Sequence, residues 1–181
     1  ACAYEQVNPK RSGSGVRYEG YKSAKTIQEA LDVDIAMAFD ECLEWPATIE
    51  QSRASTQRTT RWLKRCITAR RQPERTALFG IVQGGMHAEL RADHAREIAE
   101  MNLDGYAIGG LSVGEGHEAM KEMVDVTPPH LPANKVRYLM GVGHPIDIAE
   151  AILRGVDFFD CVLPTRAGRH WQAYTVGPCE T

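Results

Sequence analysis

Residues Ala77 to Leu111 read ALFGIVQGGMHAELRADHAREIAEMNLDGYAIGGL, and the division of this stretch decides the fold. Two short apolar runs, Ala77–Gly85 and Gly105–Leu111, flank a segment with helical spacing over His87–Met101. An almost unbroken apolar run bounded by glycines suits a strand covered on both faces, because neither face meets water. A helix between two such strands returns the chain to the starting edge, so the second strand runs parallel to the first. The stretch is a βαβ unit.

The unit recurs in both directions. DIAMAFDEC (Asp34–Cys42), VRYLMGVG (Val136–Gly143) and VDFFDCVL (Val156–Leu163) read as further buried strands. A helix is predicted before the first of them, at Ala24–Leu31, and others at Ser52–Arg70, Glu115–Val126 and Pro145–Arg154. The helix-to-strand joints ALDVDIAM, MNLDGYAI and LRGVDFFD each set an aspartate close to a strand start. Alternating strands and helices indicate an α/β fold with a parallel sheet. A full (β/α)8 TIM barrel takes about 250 residues. The 181 residues here, with five βα units, predict an incomplete portion of such a barrel over residues 26–181. Residues 1–25 form a preceding segment, linker-like at RSGSG (Arg11–Gly15). The competing doubly wound sheet would carry a G-x-G-x-x-G turn, and GVGHP supplies only its first two glycines. The opening ACAYEQVNPK and the closing GPCET suggest a piece of a longer molecule.

Composition narrows the setting. Hydrophobic residues at 43% and charged residues at 25% describe an ordinary globular chain. No apolar run approaches the ~20 residues that span a bilayer, so no membrane is expected. Five scattered cysteines (Cys2, Cys42, Cys66, Cys161, Cys179) without a C-x-x-C pair argue for a cytoplasmic protein with neither a disulfide framework nor a metal site. The net charge of −3 does not mark a nucleic-acid binder. Between Gln51 and Arg75, however, eight cations (Arg53, Arg58, Arg61, Lys64, Arg65, Arg70, Arg71, Arg75) face one acid, Glu74. Charge alone favours a solvated helix face there over a phosphate site.

The strand exits carry the chemistry. They end in Asp40, Gln83, Gly109-Gly110, Met140-Gly141 and Asp160. In a parallel barrel all such ends converge on one mouth, where active sites are assembled. Two carboxylates, an amide, glycine N–H groups and a thioether do not make a redox or metal centre, and the six histidines are dispersed. The set suits a planar, hydrogen-bonding heterocycle. Asp40 can accept two N–H bonds from a guanine-type edge, Gln83 can donate to O6 or N7, and the Gly110 N–H can reach O6. Met140 offers a polarizable surface to the ring. Asp160 then serves as nucleophile or acid, since a carboxylate attacking an anomeric carbon forms an ester that a second acceptor can open.

The motifs FDEC, FGIVQGG, DGYAIGGLSVGEG, YLMGVGHP and FFDCVLPTRAGR, in this order between Thr26 and Thr175, resemble the tRNA-guanine transglycosylases, the queuine tRNA-ribosyltransferase family. The resemblance implies a pentosyltransferase of tRNA modification and queuosine biosynthesis, replacing guanine at the wobble position with a queuine-type base. It implies Asp160 as nucleophile on ribose C1′, with a covalent ribosyl-aspartate intermediate. Asp40, Gln83, Gly110 and Met140 would hold the base, and the Leu111 peptide, with Glu115 behind it, would face the base's substituent. Arg166 and Arg169 would contact the anticodon loop. Cys42, and Val113 in GGLSVGE, suggest the bacterial type, which inserts the precursor preQ1.

The resemblance also implies features that these residues lack. The D-S-G-G-F/Y-Q motif of the family's N-terminal portion is absent, as is its C-x-C-x-x-C…H zinc site. Zinc is therefore expected only of a full-length member, which the resemblance makes a homodimer. The alternatives are a non-catalytic RNA-binding subunit of the same family, an inactive fragment, or an unrelated barrel enzyme binding a phosphorylated metabolite at YAIGGLSVGEG. Of the remaining residues, Cys161 is expected to pack away from the site, and His144 to be a loop histidine. Trp45, Trp62 and Trp171 read as packing residues, Trp171 with the option of stacking on a nucleotide.

Overall fold

The computed structural model describes residues 27–175. The segment 1–25, with its linker-like Arg11–Gly15, lies outside the described residues. After a helical turn over 27–30 come β1 (Ile35–Met37), α1 (Ile49–Ala69), β2 (Ala77–Val82), α2 (Ala88–Ala99) and β3 (Gly105–Ile108). Then follow α3 (His117–Val126), a 3-10 turn (Pro128–His130), β4 (Val136–Leu139), α4 (Pro145–Leu153), β5 (Phe158–Phe159) and α5 (Leu163–Arg169). The strands lie in the order β1-β2-β3-β4-β5 and every neighbouring pair is parallel. The sheet curls into half of a barrel, as the alternating pattern predicts. All strand exits therefore share one edge.

Nearly every residue of β2 and β3 is buried, which explains why their sequences read as continuous apolar runs rather than alternating ones. Leu78, Val82, Tyr106, Ile108 and Leu139 from the strands pack with Leu63, Ala95, Ile98, Met120 and Met123 from the helices. The aspartates at the helix-to-strand joints hold the sheet's other edge. Asp104 Oδ2 accepts the Leu78 N–H of the neighbouring strand at 2.8 Å, and Asp157 Oδ2 accepts the Arg137 N–H at 2.9 Å. Each carboxylate satisfies an N–H at the start of the adjacent strand.

Helix α1 begins three residues before the predicted Ser52 because Thr48 and Gln51 close a capping box. Its inward face is polar: Ser52, Ser55, Thr56, Thr59 and Thr60 are buried with Leu63 and Cys66. The hydroxyls grip the chain leaving β1. Ser55 Oγ donates to the Glu41 carbonyl at 2.6 Å, and the Glu41 N–H donates to Thr59 Oγ1 at 3.0 Å. Of the cations on this stretch, Arg58 pairs with Glu41, Arg75 with Asp32, and Arg70 with Asp104 at 2.6 Å.

All five strands end before the sequence reading expects, and two of these differences bear on the site. The first strand is expected to reach Cys42 but ends at Met37, because the segment after it is held by α1 rather than by β2. The last strand is expected to reach Leu163 but covers only Phe158–Phe159, and Leu163–Arg169 forms α5 with Pro164 in its first turn. Arg166 and Arg169 thus stand on a short helix. Cationic side chains in its last turn suit the negative end of the helix dipole.

Gly105 shows how tightly the sheet packs. A Cβ there would lie 2.3 Å from the Phe79 ring, whereas one at Gly168 would meet nothing within 4 Å. Gly105→Ala is expected to lower unfolding stability by about 1–3 kcal/mol or more, and Gly168→Ala to leave it unchanged or slightly raised. Urea unfolding midpoints of the two variants, side by side, check this.

Candidate functional site

The site starts from Gln83, just past the end of β2 and only 2% exposed. Its side chain donates from Nε2 to Asp40 Oδ2 at 2.7 Å, joining the exits of β1 and β2. On the other side lies Gly110, with φ +68°, where a Cβ would come within 2.4 Å of Gln83 Oε1. Glycine is required there on two counts, the left-handed backbone and the missing space. Gln83 is thus held between the exits of β1 and β3, and three of the predicted residues form one cluster.

A shallow open cleft adjoins this cluster, lined among others by Leu43, Trp45, Ser55, Gln83, Gly110 and Val113. Cys42 sits half-buried next to Leu43. The turn after β3 shapes the cleft's far wall. Glu115 accepts the Ser112 N–H and, at 2.8 Å, the Val113 N–H, so its carboxylate is the hub of a turn with positive φ at Gly110, Ser112, Gly114 and Gly116. Leu111 is buried beneath it.

Further along the same edge, Met140 follows β4, half-buried, its N–H bonded to the Ile108 carbonyl of β3 at 3.2 Å. Asp160 follows β5 and is exposed at the mouth. Its Oδ1 accepts two bonds, from the Tyr138 hydroxyl at 2.6 Å and from the Gly141 N–H at 2.9 Å. Burial, with the bond to Asp160 as a second cause, raises the Tyr138 phenol well above its ordinary value, so it stays protonated and donates. The Cys161 thiol turns to Gly143, where a Cβ would overlap the sulfur, and so packs against the β4 exit. His144 is exposed at the start of α4.

The tryptophans divide. Trp62 packs edge-on against Phe39 with centroids 6.1 Å apart, and Trp45 lines the cleft. Trp171 departs from the packing expectation, being 98% exposed beside α5. Among the described residues no group of three or more His, Cys, Asp or Glu side chains is arranged to hold a metal. The zinc implied by the resemblance has no ligand set there, and no step below runs through it.

Three residues of the site escape the sequence reading. Tyr138 is one, although its place two residues before Met140 puts both on one face of the strand. Arg91 and His94 are the others. They share the spacing i, i+3, i+4, i+7 with Ala95 and Ile98, which is the buried stripe of α2, and that spacing is the signal that finds them. Arg91 is fully buried. Its Nε and Nη2 donate to the Gly85 carbonyl at 3.2 and 2.9 Å, and its Nη1 to the Gly109 carbonyl at 3.0 Å. Burial lowers the guanidinium to about 10, which still leaves it charged near neutral pH.

His94 supports the β2 exit. Its Nδ1 accepts the Gln83 backbone N–H at 2.9 Å, so Nε2 carries the proton and faces Thr60 Oγ1 at 3.1 Å. Thr60 in turn donates to Glu97 Oε2 at 3.1 Å. Burial, with the Arg91 charge acting in the same direction, lowers His94 to about 4. The imidazole is therefore neutral in the folded protein over most of the range where an unfolded histidine, near 6.5, takes up a proton.

The half barrel's strand ends thus gather Asp40, Gln83 and Gly110 into one cluster, with the Asp160 carboxylate held separately on the same edge. The model of the family described as queuine tRNA-ribosyltransferase matches residues 5–179. A queuine tRNA-ribosyltransferase of Acetivibrio thermocellus is 57% identical over 149 residues, which cover 82% of this chain and 40% of that protein. Proteins of the same name from Geobacillus kaustophilus and Rickettsia africae are 52% and 53% identical, covering 85% and 82% of this chain and 40% and 41% of their own lengths. The chain belongs to the queuine tRNA-ribosyltransferase family. It spans about 40% of the length of the curated relatives it matches.

The depressed His94 has a consequence for stability. Between about pH 6.5 and 4 the unfolded chain binds a proton at this residue that the folded chain refuses, so stability falls as pH drops through that window. The loss amounts to about 3 kcal/mol at 1.36 kcal/mol per unit. His94→Gln, neutral at every pH, is expected to lack this part of the slope. Urea midpoints measured from pH 7 to 4 for both proteins test it; parallel slopes would contradict it.

Proposed function

We propose that this chain is the base-exchanging part of a tRNA-guanine transglycosylase that replaces guanine at the wobble position with preQ1. The observation that carries the proposal is the pair of clusters on one sheet edge: Asp40, Gln83 and Gly110 for the base, and Asp160 for the sugar. In a ligand-free site the Gln83–Asp40 bond satisfies both polar groups. An entering guanine would replace it, with its N1–H and exocyclic amine on Asp40 and its O6 against Gln83 and the Gly110 N–H. Met140 would lie against the ring, and the Leu111–Glu115 turn would face the position where preQ1 carries its aminomethyl group. The Val113 side chain would narrow the space around that substituent, and this, with Cys42 as the second position that suggests the bacterial type, favours preQ1 over finished queuine.

Both donors to Asp160 address Oδ1, so Oδ2 is the oxygen left to attack. It bonds to ribose C1′ as the C1′–N9 bond breaks, and the electron pair leaves with the guanine, which takes up a proton. The ribosyl ester is then opened by N9 of the incoming base, which gives up its proton, and Asp160 regains its carboxylate. Arg166 and Arg169, exposed on α5 next to this point, would meet anticodon-loop phosphates.

A non-catalytic RNA-binding subunit is disfavoured because such a chain has no use for Asp160 held by two donors beside an intact base grip. For the full-length molecule we propose cytoplasmic location, a homodimer and a zinc site, on the resemblance alone. Among the described residues no helix is long and apolar enough to cross a membrane.

Incorporation of labelled guanine into tRNA tests the reading in the natural protein of full length. Asp160→Asn is expected to reduce exchange by at least about a thousandfold while tRNA affinity is retained. Exchange that persists in Asp160→Asn would overturn the assignment of the nucleophile.

A further inference from the structure

Arg91 is the one fully buried cation of the described core. A guanidinium in that position calls for a reason, because removing it from water is costly unless its donors are well used. Here they are used on backbone: Gly85 receives Nε and Nη2, and Gly109 receives Nη1. These carbonyls flank Gln83 and Gly110, the two donors of the base grip.

The Gly109 bond fixes more than a carbonyl. The Gly109 C=O and the Gly110 N–H belong to one planar trans peptide, in which the two groups point in opposite directions. With the oxygen drawn inward to Arg91, the N–H is turned outward to the cleft that Gly110 lines. A cation on the oxygen also polarises the amide and makes its N–H a stronger donor. Gly84 completes the fit, since a Cβ there would lie 2.9 Å from the Arg91 backbone and push α2 off the turn.

We propose that Arg91 is a positioning residue for base recognition: it holds the Gly109–Gly110 peptide and the Gly85 turn so that the Gly110 N–H is aimed at the 6-oxo group of the bound base. The inference deepens the base-exchange reading and rests on it. It predicts that Arg91 matters for O6 specifically, not for the base in general. As negative charge builds on the departing guanine, the same polarised N–H stabilises it, so Arg91 also assists departure without touching the substrate.

The test compares guanine with 2-aminopurine, which lacks O6 and the N1–H, as ligands of the natural protein of full length in calorimetric titration. The wild type is expected to bind guanine at least roughly a hundredfold more tightly, because the analogue forgoes the bonds of O6 to Gln83 and Gly110 and of N1–H to Asp40. In Arg91→Met, of similar length and apolar, that preference is expected to shrink by roughly tenfold, the factor for the Gly110 bond alone, with 2-aminopurine affinity and tRNA affinity unchanged. A folded Arg91→Met that weakens both bases equally and keeps the preference would show a merely structural role and overturn the proposal. If circular dichroism shows that Arg91→Met does not fold, Arg91→Lys decides. It keeps the charge but not the fork that reaches both carbonyls, so a reduced preference supports the proposal and an undiminished one overturns it. A wild type without any preference for guanine would sink the base-recognition reading itself, and the proposal with it.

Discussion

The parallel pairing of β1 through β5 is the constraint on which the rest depends. Because each strand runs the same way, Asp40, Gln83, Gly110, Met140 and Asp160 all leave the sheet at one edge, although 120 positions separate the first from the last. Curvature does the remainder. Neighbouring strands stand about 4.8 Å apart, so in a flat sheet β1 and β5 would be about 19 Å apart, more than a nucleoside spans. Curling into a half barrel turns both exits towards the same mouth. On the proposed function, a base held at β1–β3 and a carboxylate at β5 can then address one nucleotide.

Holding the edge open for a ligand requires a layer behind it, and that layer is polar. The hydroxyls of α1 fasten the segment that carries Asp40, and α2 supplies His94 to the Gln83 backbone and Arg91 to the Gly85 and Gly109 carbonyls. Irregular chain at a strand exit has no ladder partner, so its N–H and C=O groups must be satisfied by side chains. Polar residues on the buried faces of α1 and α2 answer that need. Apolar residues at these positions would pack as well and leave the exits undefined.

This second layer is where the sequence reading stops short. Strand positions and the α/β class follow from apolar runs and glycines, which act locally, and β2, β3 and β4 start where they are predicted. The Asp40–Gln83–Gly110 cluster follows too, because position at a strand exit is a property of the chain itself. Arg91 and His94 do not follow from polarity, since arginine and histidine on a helix read as solvent-facing until the stripe through Ala95 and Ile98 is traced. The end of β1 is misjudged for the same reason: FDEC is claimed by α1 through tertiary hydrogen bonds that no local pattern reports. The short helix at Leu163–Arg169 was hidden by the continuation of apolar character past β5, although Pro164 at a first-turn position is a helix-start signal.

What most directly tests the account is the bond it places at the centre, between Asp160 and ribose C1′. The full-length protein, mixed with end-labelled tRNA and quenched in denaturant, should yield a protein–RNA adduct that disappears when excess guanine is added before quenching. Proteolysis and mass spectrometry should assign the ribosyl ester to the peptide containing Asp160. An adduct on Asp40, or exchange that proceeds with no adduct at any quench time, would contradict it.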